Sequence, residues 1–304
     1  MKKLYLKWYY WYKNFGDELL LLWVLTYLKN TYWAIHITIE TQDTIRLNHW
    51  MDVHAWYFPD CKLSYASSRY ETIVAQCKAD YLIIWWWEVI TDARSIPYNW
   101  WNYLLRNYWY RLFWKKIVLL WWFWVPKHIW SNFLYKILYN YANSIVCREP
   151  ASYERVIQYV SKNKCVLHED FAYTILRSIK TIHWSSSLWH GTYAIINCNP
   201  YIWSAETKQK IINYCSQGWY DSLIYFPAEL TIDAPMYNEL LKELPNLIWY
   251  DRTAESLKTI ALLFASASWW IAARLHVLIL LQFYWVEYTP LVYQEKITKI
   301  LWHA

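Results

Sequence analysis

Glycine is nearly absent from this chain, which contains three glycines among 304 residues. An average globular protein has about 7% glycine, or roughly twenty residues at this length. Tryptophan shows the opposite anomaly, with 26 copies. Because the deficit in one residue matches the excess in the other, the positions of the tryptophans become informative about the fold.

Three other features are missing, and each absence excludes a class of protein. The six cysteines include no CxxC pair, which argues against a zinc or disulfide framework and favours a reducing compartment. The longest apolar runs, residues 117–125 and 260–273, are shorter than the roughly 20 residues that a membrane span requires. The 30 lysines and arginines form no block in the sequence, so the net charge of +6 indicates no nucleic-acid partner. We expect a cytoplasmic protein that can associate peripherally with the inner face of the membrane.

Short β-rich runs alternate with longer helical patterns from one end of the chain to the other. This alternation is typical of βαβ units, which build a parallel sheet with helices on both faces. The chain is 57% hydrophobic, enough for a buried core in each of two domains. We therefore predict an α/β fold with two facing Rossmann-like lobes and a cleft between them, a GT-B-like arrangement. The lobes span residues 1–182 and 192–304, and the polar residues 183–191 form the linker.

Tryptophan stands where such a fold needs glycine. The turn from a strand into a helix often requires a positive φ or a close backbone approach, and glycine supplies both. Residues 85–87 are all tryptophan and follow the apolar run that ends at Ile84, while Trp121, Trp122 and Trp124 follow Leu120. We hypothesise that the gene uses UGA as a glycine codon and that the chain was translated with UGA as tryptophan. The alternative is that the tryptophans are aromatic platforms for sugars or anchors at a membrane surface.

With glycine at these positions, the sequence resembles the polysaccharide pyruvyl transferase family over nearly its whole length. KWYYWYKNFGDELLLL resembles the family's glycine-rich loop and Asn-x-Gly-Asp-Glu turn, with Trp8 and Trp11 on the loop glycines. DYLIIWWWEVITD and IVLLWWFWVP resemble two of its strands with the glycine loops that follow them. Trp285 stands where the family has glycine ahead of a proline, here Pro290. The most specific match is Arg-Leu-His followed by Tyr-x-x-Lys.

The resemblance implies an enzyme that moves a pyruvyl group from phosphoenolpyruvate to a sugar of a cell-wall or surface polysaccharide and forms a pyruvate ketal. Its partners would be phosphoenolpyruvate and a saccharide acceptor, including a lipid-linked one, and it would need no cofactor. The first lobe would bind the acceptor and the second lobe the donor. The alternative is a GT-B-type glycosyltransferase, which would use the same cations for a nucleotide sugar. A third hypothesis takes the tryptophans literally, as a carbohydrate or membrane-surface binder with a blocked donor site.

The candidate donor residues are cationic. Arg274 and His276 begin a helix directly after the mostly apolar residues 265–273, and a helix N-terminus favours anions. The resemblance assigns both residues to the donor, with His276 as the proton donor. It also assigns to donor binding Lys296, in Tyr-x-x-Lys, and Arg148, which matches the arginine of the family's Arg-Asp-x-x-Ser although this chain has Glu149 in place of the aspartate. From the residues alone, a core arginine paired to a carboxylate stays the alternative for Arg274.

The candidate acceptor residues lie at the mouth of the first helix. The resemblance places Asn14, Asp17 and Glu18 there, with Asp17 as the catalytic base and the other two as acceptor ligands. The alternative for Asp17 is a helix cap, which is worth about 1 kcal/mol. No metal is expected, because His49 and His54 have no third partner at ligand spacing.

Overall fold

The structure is a computed structural model. It describes residues 1–7, 14–33, 35–41, 43–54, 58, 60–86, 113, 115–121, 133, 136–137, 139–147, 150–168, 173, 176–177 and 192–291. Its contacts divide the chain into two compact units. The first consists of Met1–Tyr10, Leu25–Leu47 and Tyr57–Phe171, and the second of Trp11–Val24, Asn48–Trp56 and Ala172–Ala304. The predicted linker, residues 183–191, lies outside the described residues.

The first unit contains a seven-stranded parallel sheet in the order β3-β2-β1-β4-β5-β6-β7. Its strands are β1 (Lys2–Lys7), β2 (Ile35–Glu40), β3 (Cys61–Ala66), β4 (Tyr81–Trp86), β5 (Lys116–Trp121), β6 (Ser144–Cys147) and β7 (Cys165–Leu167). Helices of this part of the chain include α1 (Phe15–Tyr32), α2 (Thr44–His54), α3 (Arg69–Lys78) and α4 (Pro150–Val156). In the centre of the sheet, Leu4 of β1 pairs with Ile37 on one side and Tyr81 on the other. The middle of β1 is fully buried, as expected of a parallel strand covered on both faces.

The second unit contains a five-stranded parallel sheet in the order β10-β9-β8-β11-β12. Its strands are β8 (Tyr193–Asn197), β9 (Ser222–Tyr225), β10 (Leu247–Trp249), β11 (Trp269–Ala272) and β12 (Tyr288–Pro290). The helices between them are α5 (Ala205–Gln217), α6 (Leu230–Leu241), α7 (Leu257–Ser266) and α8 (Leu275–Tyr284). All five residues of β8 are buried, and α8 buries most of its apolar length. Parallel sheets in both units confirm the prediction of an α/β protein with two Rossmann-like lobes.

The tryptophan runs after Ile84 and Leu120 begin as strand. The sequence predicts turns at residues 85–87, Trp121, Trp122 and Trp124, but β4 continues to Trp86 and β5 to Trp121. The expectation was wrong for these strand-end residues because the two strands pair with each other up to Trp86 and Trp121. Trp87, Trp122 and Trp124 lie outside the described residues, as do Trp8 and Trp11.

Two tryptophans nevertheless occupy backbone conformations that favour glycine. Among the described residues, Trp33 and Trp285 are the non-glycine residues with positive φ, at 45° and 56°. The Trp285 amide donates to the Gln282 carbonyl, and the next amide, of Val286, donates to the Leu281 carbonyl. These two bonds make the Schellman motif that ends many helices, with Trp285 at the left-handed position usually held by glycine. Because Trp285 is 86% exposed, packing of its side chain does not account for the choice of residue.

Candidate functional site

Polar side chains of the second unit gather at the carboxyl edge of its sheet. The strand order reverses at β8, which has β9 on one side and β11 on the other, and ligands of doubly wound sheets bind at such a point. The buried Asn197, at the end of β8, joins the two neighbouring loops. Its side-chain oxygen accepts a hydrogen bond from the Arg274 amide at 3.0 Å, and its side-chain nitrogen donates to the Phe226 carbonyl at 3.0 Å.

Arg274, which directly precedes α8, lies in a largely buried ion-pair cluster. Its guanidinium donates to Asp233 Oδ1 at 2.8 Å, and the same nitrogen lies 3.7 Å from Glu229 Oε2. Burial raises the pKa of Asp233, and the guanidinium opposes that shift. Arg274 thus forms the core ion pair that the sequence left as an alternative. Its predicted role in donor binding stays a prediction.

The first turn of α1 packs into this same region of the second unit. Asn14 forms an isolated antiparallel bridge with Glu229, and the Phe15 amide donates to the Ala228 carbonyl at 2.6 Å. The Asn14 side chain accepts from the Gly16 amide at 2.9 Å, so Asn14 caps the start of the helix. Asn14 therefore caps α1, and its predicted role as an acceptor ligand stays a prediction.

Gly16 and His276 are in close approach, and each lies in the first turn of its helix, α1 or α8. A Cβ atom added to Gly16 would collide with the imidazole of His276. Glycine is therefore required here by the space that His276 occupies. The first turns of two helices meet at this contact, and the positive end of a helix dipole favours a bound anion.

Arg252 is the residue that ties these segments together. Its side chain is fully buried, it forms an ion pair with Glu18, and its Nε donates to the Pro227 carbonyl at 2.8 Å. Its Nη2 donates to the Ala228 carbonyl at 3.1 Å, and its guanidinium carbon lies 5.7 Å from the centre of the Phe15 ring. One guanidinium thus joins the start of α1 to the loop after β9.

Asp17 lies beside this cluster and has an unusual proton affinity. Burial, together with the charges of Glu18 and Glu229, raises its pKa to about 8, and Arg252 opposes the shift. Among the described residues, Arg252 and Arg274 form salt bridges with the neighbouring carboxylates Glu18, Glu229 and Asp233, but not with Asp17. A carboxyl that exchanges its proton near neutral pH suits a general base, and such shifts are common at functional sites.

Sequence reasoning missed Arg252 and Asp233 but found most of their partners. Arg252 lies three residues after the end of the short strand β10, and a charge near the carboxyl edge of a sheet was the available signal. Asp233 gave no signal, because an aspartate in the first turn of a helix is usually solvated. Two predicted donor residues, Lys296 and Arg148, lie outside the described residues, so the predicted convergence of four cationic side chains stays a prediction.

Two further results concern metals and membranes. Within the described ranges, no group of three or more His, Cys, Asp or Glu side chains could hold a metal ion. No helix in that same part of the chain is both long enough and apolar enough to cross a bilayer.

No protein-family model matches the sequence, and no curated protein does. Solved structures match over most of its length. S. aureus MnaA, in a co-structure with UDP, gives a TM-score of 0.60 at 8% identity. The match covers 97% of this chain and 80% of the MnaA chain. UDP-N-acetylglucosamine 2-epimerase from Rickettsia bellii gives 0.57 at 12% identity, with 95% and 78% covered. The UDP-GlcNAc 2-epimerase of Methanocaldococcus jannaschii, in complex with UDP-GlcNAc and UDP, gives 0.54 at 10% identity, with 96% and 84% covered.

The fold is GT-B-like. At these identities the similarity establishes the architecture alone, and it agrees with the two Rossmann-like lobes expected from the sequence.

Proposed function

We propose that this chain is a sugar-modifying enzyme of the GT-B-like class whose substrate is a nucleotide sugar. The observation that carries the proposal is the similarity in fold to S. aureus MnaA with UDP and to the M. jannaschii epimerase with UDP-GlcNAc and UDP, each over more than nine tenths of this chain. A nucleotide sugar brings a diphosphate and a sugar with several hydroxyls. The candidate site offers a group suited to each.

The diphosphate would bind where α1 and α8 begin. The first turns of both helices meet at the contact between Gly16 and His276, and their dipoles favour negative charge there. His276 adds a side chain that gains a positive charge when protonated. Arg274 and Arg252 would not bind the diphosphate directly, because each is already paired with a carboxylate. They would hold the surrounding segments in position.

The sugar would be activated by Asp17. A base must be able to accept a proton at the working pH, and a carboxyl with a pKa of about 8 does so near neutrality. Asp17 would take a proton from a sugar hydroxyl or carbon, and the neighbouring Glu18 is held in place by Arg252.

Pyruvyl transfer from phosphoenolpyruvate is the second candidate function. The observation that favours it is the sequence resemblance at Arg274-Leu275-His276, together with the position of this triplet at a sheet edge and a helix N-terminus. In this reaction His276 would protonate the methylene carbon of phosphoenolpyruvate, which makes the adjoining carbon electrophilic. Two hydroxyls of the sugar would add to that carbon, Asp17 would accept the proton of one hydroxyl and the deprotonated His276 that of the other, and phosphate would leave as the ketal forms.

One pair of assays separates the two donors. The purified protein is incubated with saccharide acceptors and either UDP- and ADP-sugars or phosphoenolpyruvate, and release of nucleotide or of inorganic phosphate is measured. We expect turnover of a nucleotide sugar, at least 100-fold lower in Asp17→Asn. Glu206→Gln, which removes an exposed carboxylate of α5, should leave the rate unchanged. Phosphate release from phosphoenolpyruvate without any nucleotide-sugar turnover would reject the first function and establish the second.

A further inference from the structure

Lysines that are scattered in the sequence gather at one edge of the first sheet. All seven strands run parallel, so their amino ends lie at a common edge. Lys2 and Lys3 begin β1, Lys62 is the second residue of β3, and Lys116 begins β5. Parallel pairing therefore assembles charges that come from distant parts of the chain.

The segments that lead into the strands add lysines at this same edge. Lys29 lies in the last turn of α1, ahead of β2, and Lys78 ends α3, ahead of β4. Lys115 directly precedes β5, while Lys162 and Lys164 lie in the short 3₁₀ helix ahead of β7. These five residues and the four strand lysines are called the lysine edge below.

Few carboxylates oppose the lysine edge. Two aspartates of the described residues contact it: Asp60, whose Oδ2 lies 3.8 Å from Lys29 Nζ, and Asp80, whose Oδ2 accepts a hydrogen bond from the Lys3 amide at 2.8 Å. The nine lysines outnumber these two aspartates, so the edge carries an excess of positive charge.

Aromatic side chains lie between the lysines. The ammonium of Lys2 lies 5.2 Å from the ring centre of Tyr32 and 5.8 Å from that of Tyr81, and Lys116 lies 5.4 Å from that of Tyr81. Phe113, two residues ahead of Lys115, is 65% exposed. The edge therefore combines ammonium groups with apolar surface.

We propose that the lysine edge docks this protein onto an anionic lipid membrane. Anionic headgroups form a diffuse negative surface, which a broad array of lysines matches without specific pairing. Most cations of these segments are lysines, with Arg155 in the last turn of α4 as an exception, whereas arginine is the usual choice for paired contacts to nucleic-acid phosphates and bases. The exposed Phe113 suits the boundary between headgroups and acyl chains, as aromatic side chains of peripheral proteins do. The proposal holds for either donor, because it uses no residue of the candidate site.

Vesicle sedimentation tests the proposal. The full chain is mixed with vesicles of phosphatidylcholine, with and without phosphatidylglycerol, and the bound fraction is measured. We expect binding to the anionic vesicles alone, weakening as salt screens the lysines. A triple variant with Lys3→Gln, Lys62→Gln and Lys116→Gln should bind about 100-fold more weakly. The matched control carries Lys210→Gln, Lys242→Gln and Lys258→Gln, three exposed lysines of the second unit, and should bind as the unmodified protein does.

Three outcomes would overturn the proposal. They are equal binding by the two triple variants, equal binding to neutral and anionic vesicles, and tighter binding of double-stranded RNA or DNA than of anionic vesicles, which would assign the lysine edge to nucleic acid. Circular dichroism verifies that each variant is folded. If the edge variant does not fold, the three single variants, each with an expected loss of about fivefold, replace it.

Discussion

At the scale of single residues, Trp285 is the position at which the sequence and the backbone disagree most clearly. A residue other than glycine in the left-handed region destabilises the folded protein by about 1 kcal/mol or more. Trp285 has a φ of 56°, and its side chain is exposed to solvent. We therefore expect Trp285→Gly to raise the free energy of unfolding by about 1 kcal/mol, measured in urea. Loss of stability in this variant would contradict the glycine hypothesis at this position.

Trp219 provides the matched control for that substitution. It is 98% exposed but is not among the residues with positive φ, so Trp219→Gly relieves no strain and should give no gain. The hypothesis also has a test in the gene, since it requires UGA rather than UGG at the codons for Trp33 and Trp285. UGG at both would leave their positive φ angles unexplained.

Asp17 gives a second residue-scale prediction, on the pH dependence of stability. Its pKa of about 8 in the folded protein exceeds the value of about 3.9 in an unfolded chain. Between these values the folded state holds a proton that the unfolded state has lost, so stability falls as the pH rises from about 4 to about 8. Asp17→Asn removes this dependence. We expect its free energy of unfolding, relative to the unmodified protein, to increase between pH 5 and pH 8 by an amount on the order of a few kcal/mol.

Urea unfolding of both proteins at several pH values measures that difference. The Glu206→Gln variant, which lacks a carboxylate exposed to solvent, should follow the unmodified protein throughout. Parallel curves for Asp17→Asn and the unmodified protein would mean that Asp17 ionises as an ordinary aspartate, and the proposed base would lose its support.

At the scale of elements, Arg252 joins the start of α1 to the loops after β9 and β10. Removal of one partner from a buried ion pair leaves the other charge unopposed, which typically costs about 3–5 kcal/mol. We expect Arg252→Gln to lower the free energy of unfolding by about 3 kcal/mol, since Glu18 remains partly hydrated. The double variant Glu18→Gln with Arg252→Gln should recover part of this loss, because it no longer leaves the Glu18 carboxylate unpaired.

The ion pair of Lys208 with Glu243 is the control for these variants of the Arg252–Glu18 pair. Its atoms are 3.3 Å apart and both side chains are more exposed than those of the Arg252 pair, so Lys208→Gln should cost less than about 1 kcal/mol. Equal losses for the two pairs, with no recovery in the double variant, would show that Arg252 does not hold these elements together.

The elements also show what the sequence could predict and what it could not. The alternation of short β-rich runs with helical patterns predicted the parallel sheets. Strands such as Tyr193–Asn197, buried at every position, are typical of a parallel sheet covered on both faces. The ends of β4 and β5 were placed too early, because pairing between neighbouring strands extends them into the tryptophan runs. The ion pair of Glu18 with Arg252 joins positions far apart in the chain, and no local pattern encodes such a contact.

At the scale of the whole molecule, the linear sequence does not show where the charges gather or which segments belong to each compact unit. Its lysines look scattered along the chain, yet parallel strand order collects nine of them at one edge of the first sheet. Similarly, the sequence suggested a second lobe formed by residues 192–304, whereas the contacts group Trp11–Val24 with that part of the chain. The first half of α1 thus belongs to a unit most of whose residues lie much later in the sequence.

This grouping predicts how the second unit behaves when it is isolated. Phe15 is buried, with its ring centre 5.1 Å from that of Phe226 and 6.2 Å from that of Phe264. A fragment of residues 192–304 lacks Phe15, and it also lacks the Glu18 carboxylate opposite Arg252. We expect this fragment to unfold at a lower urea concentration than the second unit of the full chain. A peptide of residues 14–24 should stabilise it, by about 2.7 kcal/mol at 100 times the dissociation constant.

The same peptide with Phe15→Ala tests whether the gain comes from this packing. Loss of a buried phenylalanine side chain costs about 3–5 kcal/mol, so the variant peptide should give little stabilisation at the same concentration. If the fragment is too unstable to purify, fusion of residues 14–24 to its amino end through a flexible linker should restore a cooperative unfolding transition, and the Phe15→Ala fusion should not. A fragment that is as stable alone as with either peptide would mean that residues 192–304 form a complete domain and that α1 contributes nothing to their core.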